Sequence, residues 1–292
     1  MENPNMQAIR SILVVIEPEH SESLALKRAK LIAGVTGAHL HLLVCDRKHE
    51  HSALLSLLKA GLQEDGYSVT TEQAWNDSLH ETIIDVQQAE GCGLVIKQHF
   101  PDSPLKKALL TPADWKLLRY CPTAVLLVKT STPWAGGVIL AAIDVGNTDA
   151  EHRELHAEIV GHGFDIASLA KAQLHVISAH PSPMLSAADP TFQLKETIEA
   201  RYREQCRAFQ AEFDIDDSRL HIEEGPADVL IPFAAHKHQA AVTIIGTVAR
   251  TGISGALIGN TAEVVLDQLE SDVLVLKPTS LMDHLEELAS KA

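Results

Sequence analysis

One five-part pattern occurs twice along the chain, and this repetition limits the fold more than any other feature. ILVVIE at 12–17 lines up with ILAAID at 139–144, and LVIK at 94–97 with TIIG at 243–246. CPTAVLLVK at 121–129 lines up with ESDVLVLK at 270–277, and the spacing from the fourth apolar run to the fifth is nearly the same in both copies. In the first copy, apolar runs at 11–16, 38–45, 67–73, 93–97 and 124–129 read as strands. Helical stripes at 21–32, 52–62, 78–89 and 111–120 lie between them. The second copy repeats this with strands at 138–144, 173–179, 219–223, 241–246 and 272–277, and helices at 151–169, 191–213, 227–236 and 261–269. Strand-helix alternation of this kind implies an α/β fold, a parallel sheet with helices on both faces. A repeat of one compact unit is the simplest account.

Length supports two units: 292 residues suffice for a pair of ordinary domains. The boundaries read as a first domain at 8–130, a second at 136–279 and an amphipathic tail at 280–292, with TSTPWAGG at 130–137 having linker composition. Aliphatic residues must fill the cores, because 46% of the chain is hydrophobic and only 4% aromatic. The strand at 67–73 is polar enough to sit near a sheet edge. A net charge of −15 argues against a nucleic-acid partner, which would want a basic face. Cys45, Cys92, Cys121 and Cys206 lie far apart without CxxC spacing and read as reduced thiols. Neither a signal peptide nor an apolar run long enough to span a membrane is evident, so a cytoplasmic location is expected.

The stretch VTIIGTVARTGISGALIGNT at 242–261 carries the chemistry. A buried strand runs into Gly246, and a loop rich in Gly, Ser and Thr then leads to Gly259, Asn260, Thr261 and a helix. Glycines permit close backbone approach, and the free N–H groups of a helix start favour an anion, so the stretch suits a phosphate. Arg250 adds charge for such a group.

These residues resemble the universal stress protein family, in the form that carries two domains in one chain. The family's phosphate loop is Gly, two residues, Gly, nine residues, then Gly followed by Ser or Thr. Gly246 and Gly259 match its ends, Ala249 stands at the middle glycine, and Asn260 takes the hydroxyl position with Thr261 one step later. The resemblance implies that Asp144 lies near adenine and ribose and that Val176 offers a backbone contact to adenine. Gly225-Pro226 followed by 227–231 matches the family's entry to its third helix. It also implies two tandem domains, each a five-stranded parallel sheet of order 3-2-1-4-5, with ligand at the carboxyl ends of the strands. The two domains would pair through the outer strands at 124–129 and 273–277.

Three functions stay open at this stage. In the first, a stress-response protein binds ATP or a related adenine nucleotide in its second domain, with a divalent cation if the ligand is ATP. In the second, the loop keeps its shape without a nucleotide, and the protein is a scaffold for an apolar ligand, a protein partner or a second copy. Ala249 favours this, since its methyl group stands where backbone approach is needed. The third is a weak ATPase. No catalytic residue stands out: there is no G-x-S-x-G elbow and no Walker lysine.

In the first repeat Glu17 replaces the acid, Lys97 replaces the first glycine, and 97–107 contains no glycine at all. Lys97, Lys106 and Lys107 read as a solvated charged loop, and this half as structural or partner-binding. Sixteen histidines invite a metal reading. His152 and His156 share a helix face and His236 and His238 flank Lys237, but HRELH is not H-E-x-x-H and spacing locates no third ligand. Exposed helix and loop histidines are the expectation, with His99 and His175 as rim or core residues.

Overall fold

The computed structural model describes residues 6–20, 22–101, 109–182, 195–248 and 259–289. The first repeat contributes β1 (Ser11–Ile16), α1 (Leu24–Thr36), β2 (His39–Cys45), α2 (Ser52–Glu64), β3 (Val69–Ala74), α3 (Leu79–Ala89), β4 (Leu94–Gln98), α4 (Pro112–Tyr120) and β5 (Ala124–Val128). The second contributes β6 (Val138–Ala142), α5 (Ala150–Ala170), β7 (Gln173–His180), α6 (Lys195–Phe213), β8 (Leu220–Glu224), α7 (Ala227–Lys237), β9 (Ala240–Gly246), α8 (Asn260–Gln268) and β10 (Asp272–Leu276), and α9 (Thr279–Ala289) follows.

All ten strands form one sheet in the order β3-β2-β1-β4-β5-β10-β9-β6-β7-β8. Each repeat supplies five parallel strands in the order 3-2-1-4-5, as the resemblance implied. The repeats meet at an antiparallel junction where Val125, Leu126 and Leu127 face Val275, Leu274 and Val273. Apolar continuity follows position: β5 and β10 are buried throughout, while the outermost strands β3 and β8 are partly exposed. A strand covered on both faces must be apolar on both, whereas an edge strand need not be. Among the described residues, no helix is long and apolar enough to cross a membrane.

Local chemistry sets the helix ends. Ser23 caps α1 through its hydroxyl, which accepts from the Leu26 N–H, and Gly37 closes the helix with a left-handed φ of 70°. α1 therefore begins three residues later and runs four further than its apolar stripe suggested. Thr111 and Asp114 form a reciprocal capping box on α4, with Pro112 at the first turn.

The stretch at 130–137 is not a loose linker. Asp272 at the head of β10 is fully buried and accepts from Arg28 Nε and Trp134 Nε1, both at 2.8 Å. Its other oxygen accepts from the backbone N–H groups of Lys129 and Thr130. Arg28 donates in turn to the carbonyls of Thr130 and Thr132 and lies over the Trp134 ring. One carboxylate thus ties a helix of the first repeat, the connection and a strand of the second. The lysines after β5 and β10 reach across as well: Lys129 Nζ donates to the Leu266 and Leu269 carbonyls at the end of α8. Lys277, 2% exposed, lies close enough to Cys121, the C-cap of α4, to interact electrostatically with its thiol. The tail helix α9 returns to the first repeat and packs against α3, with Leu285 buried.

Candidate functional site

β6 stops at Ala142, short of the 138–144 span expected, because the backbone turns at Asp144. The Asp144 carbonyl accepts from the Asn147 N–H at 3.0 Å, and its carboxylate accepts from the Gly146 N–H at 3.1 Å. Beyond this turn Asp149 caps α5, its carboxylate accepting from the His152 N–H. On the neighbouring strand β9 ends at Gly246. A Cβ there would stand 2.6 Å from Leu155 Cδ2 and 3.0 Å from Ile159 Cδ1. Glycine is needed at 246 so that α5 can lie against the strand end, a packing reason separate from any phosphate.

Gly259 presents the opposite case. It is the N-cap of α8 with an ordinary extended backbone, φ −60° and ψ 143°, and no side chain caps this helix start. A Cβ at 259 would meet only the Val248 carbonyl, 4.0 Å away. Nothing in the described fold demands glycine here, and the N–H groups at the start of α8 lack a side-chain acceptor.

Between these elements lies a cavity of about 1000 Å³ at the carboxyl ends of β6 and β9. This is the place where strand order reverses in a doubly wound sheet and where ligands bind. Asp144, Gly246, Gly259 and Thr261 all line it. Val176 does not: it is fully buried in mid-strand, and β7 reaches the cavity only at Ala179 and His180. Asn260 opens α8, while Ala249 and Arg250 lie outside the described residues.

The electrostatics of the cavity are set by histidine as much as by Asp144. His156, only 4% exposed, accepts from the Asp144 N–H at Nε2. Burial, opposed by Asp144, pushes this ring down to about 4, so it is neutral at pH 7. The expectation of an exposed His152–His156 pair is therefore corrected: His156 belongs to the cavity wall, and His152 is engaged with Asp149 through Nδ1. Among the described residues lining the cavity there is no Lys or Arg, and the Thr247 hydroxyl is buried without a protein partner.

Tyr202 closes the cavity from α6, and sequence reasoning missed it. The residue is 4% exposed, and a Cβ on Gly146 would fall 2.0 Å from its hydroxyl, so glycine at 146 makes room for the phenol. Burial first, and then Asp144, raise the Tyr202 pKa. A signal existed: Tyr202, Cys206, Phe209 and Phe213 recur at helical spacing, and Tyr202 is the member nearest the carboxyl ends of the strands.

In the first repeat an internal ion pair stands at the end of the fourth strand. Lys97 is 5% exposed, and its Nζ donates to Asp114 Oδ1 and to the Gln98 carbonyl, both at 3.0 Å. His99 Nδ1 lies 2.8 Å from Asp114 Oδ2, which also accepts from the Thr111 hydroxyl. Burial would raise the Asp114 carboxyl, but His99, Lys97 and Thr111 outweigh it and hold the group well below the usual carboxylate range. The reading of Lys97 as part of a solvated loop is thus corrected: capping α4 brings Asp114 beneath the end of β4, where it pairs with the lysine. Lys106 and Lys107 lie outside the described residues.

Comparison with known proteins agrees with this architecture. The family described as Universal stress protein family matches residues 138–277. Universal stress protein E of Escherichia coli (strain K12) is 30% identical, over 96% of this chain and 98% of that protein. The Universal stress protein E homolog of Haemophilus influenzae is 29% identical, over 94% and 99%. Among solved structures, a functionally unknown protein from Pseudomonas aeruginosa PAO1 is 71% identical with a TM-score of 0.90, covering 98% of this chain and 99% of that one. A universal stress protein from Archaeoglobus fulgidus, 16% identical over 91% and 98% with a TM-score of 0.65, shares the fold. With two five-stranded units spanning the relatives' full length, the chain is a tandem member of the universal stress protein family.

Proposed function

We propose that this protein acts in the stress response by binding an adenine nucleotide in the cavity of its second repeat, without a dedicated catalytic activity. The observation that carries this reading is the facing pair at the cavity: the Asp144 carboxylate on one wall and the start of α8, uncapped by any side chain, on the other. Asp144 would accept from ribose hydroxyls or the adenine amine. The N–H groups at 260–262 would take phosphate oxygens, with Thr261 beside them. Arg250 would supply positive charge, a divalent cation would accompany ATP, and Val176 keeps only the backbone role that the family suggests. The buried Thr247 hydroxyl supports a polar occupant, since it otherwise lacks a partner. The domains would divide as 8–130 and 136–279 with a tail at 280–292, the first serving as a structural or partner-binding half in the cytoplasm.

The second reading, an apolar ligand, is favoured by the cavity floor of Ile143, Leu155, Ile159 and Val265 and by the lack of a described cation there. Mass spectrometry of small molecules released on denaturation separates the two, followed by calorimetric titration with Mg-ATP. Near-stoichiometric AMP, ADP or ATP, and an affinity lost in Gly259→Asp but kept in Gly259→Ala, is the expected result. A lipid-like species and no heat with nucleotide would overturn it. Phosphate release that depends on Asp144 would turn the reading toward an ATPase.

A further inference from the structure

At the opposite end of the sheet, near the amino ends of the strands, three histidines from three elements converge. His175 lies near the start of β7, His221 is the second residue of β8, and His238 is the C-cap of α7. His175 Nδ1 is 3.0 Å from His221 Nε2, and one nitrogen from each ring can be chosen so that all three lie within 4.8 Å of one another. The ring centroids are 5.2, 5.1 and 4.4 Å apart. Two nitrogens each about 2.1 Å from one ion at tetrahedral or right-angle geometry stand about 3.0–3.4 Å apart, so the closest pair already has ligand spacing.

We infer that His175, His221 and His238 form a tri-imidazole site for a divalent transition-metal ion of the Zn2+ class. A further observation points the same way. His175 is 7% exposed, and its Nδ1 is directed at another imidazole nitrogen rather than at a carboxylate or a carbonyl. Glu223 stands two residues along β8 from His221, on the same face, and acts electrostatically on His238. A carboxylate or water there would complete four-coordination.

The first repeat shows that this composition is not required to fold the motif. In strand register His41 of β2 occupies the place of His175, and Glu72 of β3 that of His221. Glu90, the C-cap of α3, occupies that of His238. There His41 lies 3.4 Å from each of Glu72 and Glu90, so its ring nitrogens face carboxylates rather than other rings. In the second repeat both carboxylates are replaced by imidazole. Three imidazoles with no carboxylate among them form a nitrogen donor set of the kind that suits an ion of the Zn2+ class.

The test is titration of chelator-treated full-length protein with Co2+ and then Zn2+, read by the visible absorption of four-coordinate Co2+ and by competition with a chromophoric chelator. One tight equivalent is expected, weakened at least tenfold in both His221→Gln and His238→Gln. Both side chains are part-exposed, and circular dichroism with a thermal melt checks that each variant folds. Zn2+ should raise the melting temperature of the parent and leave that of the variants unchanged. No tight equivalent, or one lost in His49→Gln, which alters the separate Asp46–His49–His51 group, and kept in His221→Gln and His238→Gln, would overturn the inference. So would a tight equivalent that survives both substitutions and disappears in His41→Gln.

Discussion

The two repeats end their fourth strands in opposite ways. β4 carries Lys97 next to its last residue, and this lysine turns inward onto a buried carboxylate shared with His99 and Thr111. β9 ends in Gly246, over which α5 closes, leaving a cavity bordered by Asp144 and α8. One frame is thus finished with an internal ion pair on one side and an open pocket on the other. The difference teaches that polar groups at strand ends need partners, which the chain supplies at one place and which can come from outside it at the other.

The comparison breaks most sharply at the carboxylates. Asp114→Ala leaves Lys97 and His99 buried without their partner and is expected to cost about 3–5 kcal/mol, whereas Asp144→Ala at the exposed rim should stay within about 0.5 kcal/mol. Urea unfolding of both variants reads the contrast, and equal losses would erase it. Gly246→Ala comes next. Its methyl would stand 2.6 Å from Leu155 Cδ2, so about 1–3 kcal/mol should be lost, while Gly259→Ala changes stability by less than about 0.5 kcal/mol.

Acid sharpens the same contrast. His156 falls from 6.5 in the unfolded chain to about 4 when folded. As pH drops through that window the unfolded chain takes up a proton that the folded one refuses, and stability falls. Asp114 contributes in full above its unfolded value of 3.8 and loses its contribution only below that. Glu158, raised to about 7 by burial and then by Glu154, acts in the opposite sense between 4.5 and 7, so the informative quantity is a difference. Parent minus His156→Gln should decline by roughly 1–3 kcal/mol between pH 7 and pH 4 in urea titrations, and a flat difference would remove His156 from the account. The smallest effect is expected at Leu288, 47% exposed on α9, where Leu288→Ala should alter the thermal midpoint by a degree or two at most.

Most of the sheet was legible because each strand is a short apolar run bounded by polar turns, and even the edge position of β3 showed in its polarity. The cavity was legible in part. Gly246, Gly259 and Asp144 sit at strand and helix ends that local pattern locates, and the cavity brings them together. Tyr202 was not found, since its role depends on how α6 folds back over a distant turn. Lys97 was misread because its partner lies 17 residues away behind a helix cap, a contact no periodicity encodes. The connection at 130–137 looked loose by composition, yet Asp272 holds it from 138 residues beyond Trp134. The three histidines of the second repeat are separated by 46 and 17 positions, and only the register of two strands and the end of a helix packed beside them joins them.

The antiparallel junction of β5 and β10 has a consequence for assembly. Val125, Leu126 and Leu127 meet Val275, Leu274 and Val273 across an approximate two-fold relation, the kind of self-complementary contact that two separate copies of one repeat would make. Joined in one chain, the partners meet at an effective concentration of order millimolar rather than at whatever level synthesis provides. A pair of separate subunits would come apart on dilution, and this one cannot. The ion-paired end and the open end therefore remain in a fixed one-to-one ratio at any abundance, and two unlike halves can diverge without ever competing for the wrong partner.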